Sequence, residues 1–190
     1  MNRRAVEISN CVDEKINDKI EEDIDDKLFN HGYGTMIHKY LVIKVCLKMS
    51  KYLYDNGDSN MAFLLLKRAN NHDNSKLVGP ELQLLSNLGC KKEIFKNPNI
   101  QLSKYESEII ENHWKNNRHH PEHFNEVQEM SELDIIEMVC DWYARSLQYT
   151  TNFLDFVKTR QENRFHFPNE MFKKIWKYCE IVNSFDWGVL

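Results

Sequence analysis

Apolar residues recur every three or four positions along this chain, and no other feature restricts the fold as much. One such stripe lies on a single helical face and consists of Ile37, Leu41, Val45 and Met49. With Thr35 as its N-cap, this segment predicts a helix over residues 35–54. The chain has only 6 Gly and 4 Pro, and no segment alternates apolar and polar residues as a strand does. We therefore expect an all-α fold, a single-domain bundle of about seven helices.

The predicted helices fall into three parts along the chain. Residues 1–34 form an acidic amphipathic helix that ends at residues 31–34, His-Gly-Tyr-Gly, where glycines favour a break. Residues 35–150 form the core, and residues 151–190 form C-terminal helices that pack on it. The sequence has neither a signal peptide nor an apolar run long enough to span a bilayer, so we expect a cytoplasmic protein that contacts no membrane.

Local signals mark where several helices begin. Ser59 follows a turn at residues 55–58 and is the expected N-cap of the next helix. Ser103 and Ser131 each precede an acidic residue by three positions, which is the spacing of a capping box. Pro168 suits the first position of the last helix, because that position needs no backbone N–H.

Charge and cysteine content argue against two kinds of protein. The formal net charge is -4, whereas non-specific nucleic-acid binding needs a basic surface. The 5 Cys are far apart and include no CxxC pair. This pattern indicates a reducing compartment in which the thiols serve as small core residues, rather than a disulfide-stabilised secreted protein.

A histidine and an aspartate stand side by side shortly after a strongly apolar segment, residues 61–66. On a helix, Leu65 and Ala69 share a face with His72 and Asp73, by the i, i+4, i+7, i+8 rule. The pair therefore lies at the inner end of a core helix, where burial is costly unless a partner satisfies both groups. A divalent metal is such a partner, because imidazole nitrogen and carboxylate oxygen both bind Zn, Mn or Fe.

Further metal-type side chains occur in other predicted elements. His38 lies beside the apolar stripe of the second helix, Asp141 lies in a later helix, and a histidine-dense segment covers residues 113–123. No single element can chelate a metal with these residues. A metal site therefore requires several helices to converge, as happens in the interior of helical bundles.

The order of these residues resembles the HD-domain metal-dependent phosphohydrolase superfamily. Members carry a histidine, then an adjacent His-Asp pair, then a downstream aspartate. This chain has the same order at His38, His72-Asp73 and Asp141. The resemblance implies an HD-domain-like helical fold.

Three short motifs strengthen the resemblance. Lys76 completes an HDxSK motif that is similar to the HDxGK form of the superfamily, with Ser75 where glycine is usual. The motifs HHPEH, residues 119–123, and EMxxDW, residues 137–142, more closely resemble an uncharacterised branch found in bacteria and phages. Together the matches cover about residues 36–150.

The resemblance implies a metal and a reaction. Four residues are expected to hold one divalent ion, which is Mn, Fe, Zn, Co or Mg: His38, His72, Asp73 and Asp141. The expected substrate is a small phosphorylated compound such as a nucleotide, and water activated by the metal attacks phosphorus. Lys76 then approaches a phosphate oxygen and offsets the developing charge.

The histidine-dense segment has two interpretations within this resemblance. Some members of the superfamily carry extra histidines that bind a second metal, and the candidates here are His113 with His119 or His120. In the other interpretation, His113 and His120 contact phosphate or serve as general acid for the leaving group. Asn117, His119 and His123 then help to bind the substrate.

Each of these residues also has a structural interpretation. His38 suits an ordinary helix face, and Lys76 an ordinary surface position. His72-Asp73 suits a polar helix end. Asp141 suits a solvated acidic face, because the apolar stripe of its helix points elsewhere. Two other functions stay open, a mixed-valent di-iron oxygenase on the same scaffold and a non-enzymatic binding or accessory protein that keeps the metal as a structural staple.

Overall fold

Helices make up most of the chain in a computed structural model that describes residues 3–89 and 103–187. Seven α-helices occur there: α1, Arg3–Asp55; α2, Ser59–Asn71; α3, Gly79–Gly89; α4, Lys104–Asn116; α5, Glu132–Tyr149; α6, Phe153–Arg160; and α7, Asn169–Asn183. No strand occurs in these two ranges, so the predicted all-α bundle of about seven helices is confirmed. None of the described helices combines the length and the apolar character needed to cross a membrane.

The longest helix, α1, continues through the predicted break. Gly32 and Gly34 both lie inside it, so the break predicted at residues 31–34 and the N-cap role of Thr35 are wrong. A glycine inside a helix costs only about 1 kcal/mol, and contacts with the bundle offset this cost. Thr35 is buried, and the Gly34 carbonyl accepts a hydrogen bond of 3.2 Å from the Gln148 side chain on α5.

The helix starts follow the local signals closely. Ser103 and Ser131 form the predicted capping boxes at the starts of α4 and α5. The N-cap of α2 is Asp58, one residue before the predicted Ser59, since the Asp58 carboxylate accepts a backbone N–H bond of the first turn. Pro168 is the N-cap of α7 rather than its first helical residue.

The core forms around α5, which packs against α1, α2, α6 and α7. The fully buried apolar side chains of the core include Val42, Val45, Met49, Leu65, Ile136, Val139, Ile175 and Val182. Val42 belongs to this set because α1 is covered by both α2 and α5. Three described cysteines are buried and free, as expected of core thiols: Cys46, Cys140 and Cys179.

An irregular turn follows α6 and brings a charged segment back toward α5. The α-helical part of this segment ends at Arg160. One π-helical turn, Gln161–Phe165, continues it, and His166 ends the turn with a left-handed φ of 48°. This turn places Arg164 at the same cavity as residues of α1 and α5.

Candidate metal centre

Four buried side chains from three parts of the chain meet in the core. His38 lies on α1 and Asp141 on α5, while His72-Asp73 directly follows α2. Nε2 of His38 lies 2.7 Å from Oδ1 of Asp141. Nε2 of His72 lies 3.6 Å from that oxygen and 3.6 Å from Oδ2 of Asp73. The four residues that the sequence proposed as ligands are therefore neighbours in space.

The chain turns sharply after α2 and directs both residues of the His-Asp pair inward. α2 ends at Asn71, and Asp73 has a left-handed φ of 53°. Aspartate tolerates this conformation better than most residues, through local hydrogen bonds of its short side chain. A 3₁₀ turn, Asn74–Leu77, follows and brings Nζ of Lys76 to 2.5 Å from Oδ2 of Asp73. The short sequence after α2 thus supplies His72, Asp73 and a neighbouring cation.

Asp141 is buried even though the apolar stripe of its helix pointed elsewhere. Asp134, Glu137 and Asp141 lie at successive turns of α5, with exposed fractions of 0%, 5% and 8%. The interpretation of Asp141 as part of a solvated acidic face is wrong, because α1 and α2 cover this side of α5. Buried carboxylates need compensating partners, and His38 supplies one for Asp141.

Three residues of the histidine-dense segment join the same site. Nε2 of His119 lies 3.6 Å from Oδ1 of Asp73. His113, on α4, has Nε2 at 3.6 Å from that oxygen and at 2.9 Å from Nε2 of His120. We call the complete set the His/Asp cluster: His38, His72, Asp73, His113, His119, His120 and Asp141.

Two residues predicted to bind substrate have hydrogen-bond partners within the histidine-dense segment. Nδ1 of His123 lies 3.2 Å from the Trp114 carbonyl oxygen, and this residue does not belong to the cluster. Asn117 follows α4, and its Nδ2 donates to the His113 carbonyl oxygen at 2.8 Å. Both contacts stabilise the histidine-dense segment. A role of His123 and Asn117 in substrate binding stays a prediction.

The cluster fits a metal by the chemistry of its atoms. It contains three groups whose ligand atoms lie within 4.8 Å of one another: His38 with His72 and Asp141, His72 with Asp73 and His119, and Asp73 with His113 and His120. Nε2 of His72, Nε2 of His119 and Oδ1 of Asp73 are buried and have no hydrogen-bond partner among the described residues. Such atoms are costly. A divalent cation satisfies imidazole nitrogen and carboxylate oxygen together.

The carboxylates around His72 favour its protonated form. Burial by itself lowers the pKa of His72, but the neighbouring carboxylates, Asp73 foremost, raise it to about 10. Burial raises the pKa of Asp73, whereas Lys76 and His72 hold it well below its usual range. A metal ligand must be deprotonated, so a divalent ion would replace this proton as the compensating charge.

Two buried glutamates lie behind histidines of the cluster. Oε1 of Glu137 lies 3.3 Å from Nδ1 of His72 and 3.6 Å from Nδ1 of His119. Oε1 of Glu81 lies 2.6 Å from Nδ1 of His113. The contact between Glu137 and Nδ1 of His72 is a hydrogen bond. A carboxylate in this position orients the ring and leaves Nε2 to face the centre, which is the usual arrangement around metal-binding histidines.

Sequence reasoning did not assign either glutamate to the site. Glu137 stands four residues before Asp141, hence on the same helical face, so its place in the EMxxDW motif was an available signal. Glu81 gave no such signal. It lies in the first turn of α3, where an acidic residue is expected from the helix dipole alone.

Two openings without a common residue reach the cluster. The front cavity, of about 790 Å³, is lined by residues that include His38, Lys76, Leu85, Ile109, Ile110, His113, Trp114, His120, Arg145, Tyr149 and Arg164. The rear cleft, of about 370 Å³, is lined by residues that include Lys67, Arg68, His72, Asn117, Arg118, His119 and Glu137. The cluster thus separates a large cavity from a smaller cleft.

Comparison with known proteins assigns a family but no activity. The model of DUF5662, described as a family of unknown function, matches residues 27–180, a range that includes the whole His/Asp cluster. No curated protein and no solved structure matches the chain. Since the matched range covers most of the chain, this protein belongs to the DUF5662 family.

Proposed function

We propose that this protein is a metal-dependent phosphohydrolase that acts on a small phosphorylated substrate such as a nucleotide. One observation carries the proposal: a buried His/Asp cluster borders a cavity whose lining includes the cationic side chains Lys76, Arg145 and Arg164. The cluster suits a divalent metal, and cations beside it suit an anionic substrate. The resemblance to HD-domain phosphohydrolases supports the same chemistry.

The proposed metal ligands come from packed helices. A divalent ion held there polarises phosphoryl oxygens and lowers the pKa of water, so that a nucleophile forms at neutral pH. His38, His72 and Asp141 hold the ion, and Asp73 is the adjoining carboxylate. All four side chains are buried, which restricts their movement and keeps the reacting groups aligned.

Lys76 is assigned to the phosphate. Its ammonium group donates to Asp73, yet the side chain is 15% exposed and lines the front cavity. The charge therefore stands between a proposed ligand and the space for the substrate. An ammonium group in this position offsets negative charge that develops on phosphoryl oxygens in the transition state.

His113 and His120 are better suited to a second ion than to acid catalysis. Burial, followed by the charges of His119 and His113, lowers the pKa of His120 to about 2. The ring is therefore neutral at pH 7, and a neutral imidazole is a weak proton donor. The neutral form is the one that binds metals, and Asp73 completes a group with these two histidines.

Two ligand variants test the metal and the reaction. His72→Ala and Asp73→Ala are expected to lose bound metal, measured by elemental analysis of protein purified without added metal. Both are also expected to lose phosphate release from a panel of nucleotides and phosphate esters supplied with Mn, Mg, Co, Fe or Zn. Stoichiometric metal in a variant that carries both substitutions would contradict the proposal.

A histidine outside the cluster provides the matched control. His166 is exposed and has a left-handed φ of 48°, a conformation that asparagine tolerates. His166→Asn therefore removes an imidazole without straining the backbone. Metal content and phosphate release are expected to stay at wild-type levels.

A di-iron oxygenase is the second candidate function. The observation that favours it is that Asp73 belongs to two neighbouring metal-type groups, which suits a carboxylate shared by two ions. Two irons per chain together with oxygen consumption, and no phosphate release, would select this function. One metal per chain with no iron would exclude it. Bound metal without turnover in either assay would favour a non-enzymatic protein in which the metal is a structural staple.

A further inference from the structure

A half-buried arginine lines the front cavity. Arg145 stands four residues after Asp141 on α5 and borders the cavity together with His38. Among the described residues its side chain forms no ion pair and no hydrogen bond, and its guanidinium lies 5.9 Å from the ring centroid of Tyr149. A half-buried guanidinium that no carboxylate of the described residues neutralises is well suited to bind an anion.

Two further arginines add positive charge near Arg145. Arg164 lines the same cavity, and Arg160 lies one turn before it. Burial, and then the charges of Arg164 and Arg145, lower the pKa of Arg160, although Glu122 opposes them. Glu122 pairs with Arg164, but in the described part of the chain neither Arg145 nor Arg160 forms an ion pair. The formal net charge of the chain is -4, so these arginines are a local concentration of positive charge in an acidic protein.

The rest of the lining provides room for an organic group. α3 and α4 contribute the apolar side chains Leu85, Ile109, Ile110 and Trp114. A cavity of about 790 Å³ is larger than one phosphate requires and lies in the range of pockets that enclose small organic ligands. The lining thus combines three surfaces, namely the metal-type cluster, an apolar wall and a cationic wall.

We propose that the substrate carries two anionic groups, a phosphate at the His/Asp cluster and a second phosphate or a carboxylate at Arg145. This inference rests on the proposed function and adds the class of substrate. Arg145 lies four residues along α5 from Asp141, which corresponds to about 6 Å of helix rise. A short carbon chain spans that distance. Arginine binds phosphate or carboxylate through two parallel hydrogen bonds, and Arg164 adds positive charge beside it.

Three compounds with three-carbon chains isolate the second anionic group. Glycerol 3-phosphate has one phosphate, 3-phosphoglycerate adds a carboxylate, and propane-1,3-diol bisphosphate adds a second phosphate. For the metal-loaded protein, at least one of the latter two is expected to exceed glycerol 3-phosphate in kcat/KM by about tenfold or more, the factor that a charge-assisted hydrogen bond contributes. Whichever compound gains identifies the second group.

Arg145→Gln is expected to remove this preference, because it should lower kcat/KM for the compounds with two anionic groups much more than for glycerol 3-phosphate. Arg145→Lys keeps the charge without the paired hydrogen bonds, so it should retain part of the preference. Lys51→Gln is the control, because it removes an exposed positive charge on α1 that does not line the cavity. It should leave kcat/KM for all three compounds unchanged. Thermal melting of each variant verifies that the fold is intact.

Two results would overturn the inference. One is a wild-type protein that handles the three compounds equally. The other is an Arg145→Gln variant that loses activity equally on all three, because Arg145 would then bind the scissile phosphate. Isothermal titration calorimetry with the same compounds separates this inference from the proposed function. If a compound with two anionic groups binds more tightly, depends on Arg145 and releases no phosphate, the hydrolase is rejected and the binding site is retained. Equal affinities for the three compounds would reject the binding site.

Discussion

The front cavity and the rear cleft both place arginines beside the His/Asp cluster, but the rear arginines are neutralised within the protein. Arg68 has Nη1 at 2.7 Å from Oδ1 of Asp134 and at 3.2 Å from Oε2 of Glu137. Arg118 donates to both carboxylate oxygens of Asp134, at 3.1 and 3.0 Å. Arg145 of the front cavity has no such partner among the described residues. The rear arginines therefore hold the fold, whereas the charge of Arg145 at the front is available to a ligand.

The rear network also reaches the proposed metal ligands. Asp134 holds Arg68, Arg68 contacts Glu137, and Glu137 lies behind His72. Asp134, Arg68 and Glu137 do not line the front cavity, so they would act on the proposed metal ligands by positioning them rather than by contacting substrate. The two sides of the cluster should consequently respond to mutation in different measurements, activity at the front and metal affinity or stability at the rear.

The largest effect is expected at a proposed ligand that the helical pattern did not favour. Asp141→Asn keeps the size of the side chain but removes the charge, so bound metal should be lost and kcat/KM should fall by at least about a thousandfold. The unfolding midpoint of the metal-free protein should also fall, because the variant removes one partner of the buried His38–Asp141 pair. Elemental analysis, phosphate release and urea unfolding measure the three quantities. Retained metal would show that Asp141 is only a partner of His38.

The next effect is expected behind the ligands. Glu137→Gln leaves the shape of the rear cleft but weakens the contact with Nδ1 of His72 and His119, so metal affinity should fall by about 10- to 100-fold. Glu81→Gln makes the matching change behind His113. Chelator competition measures both affinities. A loss in Glu137→Gln alone would indicate that the ion is held without His113, and equal losses would indicate that His113 also binds a metal.

The rear network should show its effect in stability and in its dependence on pH. Burial opposes ionisation of Asp134, but hydrogen bonds from Arg118, Ser131 and Arg68 lower its pKa from 3.8 to about 2. The folded state binds this proton less readily than the unfolded state. The stabilisation, about 2 kcal/mol, is therefore complete above about pH 4 and is lost as the pH falls toward 2.

Asp134→Asn tests this dependence directly. Urea unfolding at pH 7 and at pH 2.5 should show a large difference between variant and wild type at the higher pH and a small one at the lower pH. Phosphate release per folded molecule should change much less than in Asp141→Asn. An equal difference at both pH values would mean that the charge of Asp134 does not hold the network.

The smallest effect tests the comparison of arginines itself. Arg118→Gln should lower stability by about 1 kcal/mol, a modest value because the side chain is partly exposed. Arg145→Gln should leave the melting temperature nearly unchanged, since no described residue pairs with this side chain. Thermal unfolding of the two variants in parallel measures both effects. A larger loss in Arg145→Gln would contradict the distinction between front and rear.

Much of the fold could be predicted because its signals are local. The capping boxes at Ser103 and Ser131 depend on contacts over three residues, and apolar spacing identifies a helix within a few turns. The break at residues 31–34 was predicted wrongly for the same reason. Two glycines weaken a helix locally, but Gln148 and other residues far along the chain stabilise it there.

The supporting residues of the site were harder to predict than the proposed ligands. His38, His72, Asp73 and Asp141 could be singled out because their types and order fit a metal site. Glutamates are common on solvated helix faces, so Glu81 and Glu137 carried little information by themselves. Their role depends on the imidazoles behind which they lie, and packing alone determines that.

By itself, the sequence determined the helical class, most helix starts and the side chains available to a metal. Only the tertiary structure decided that His38 and Asp141 lie 2.7 Å apart, and that Arg68 and Arg118 are paired while Arg145 is not. Apolar faces summed over the whole chain decide which helices pack together. The partner of each buried charge follows from that packing, and no short segment of sequence contains it.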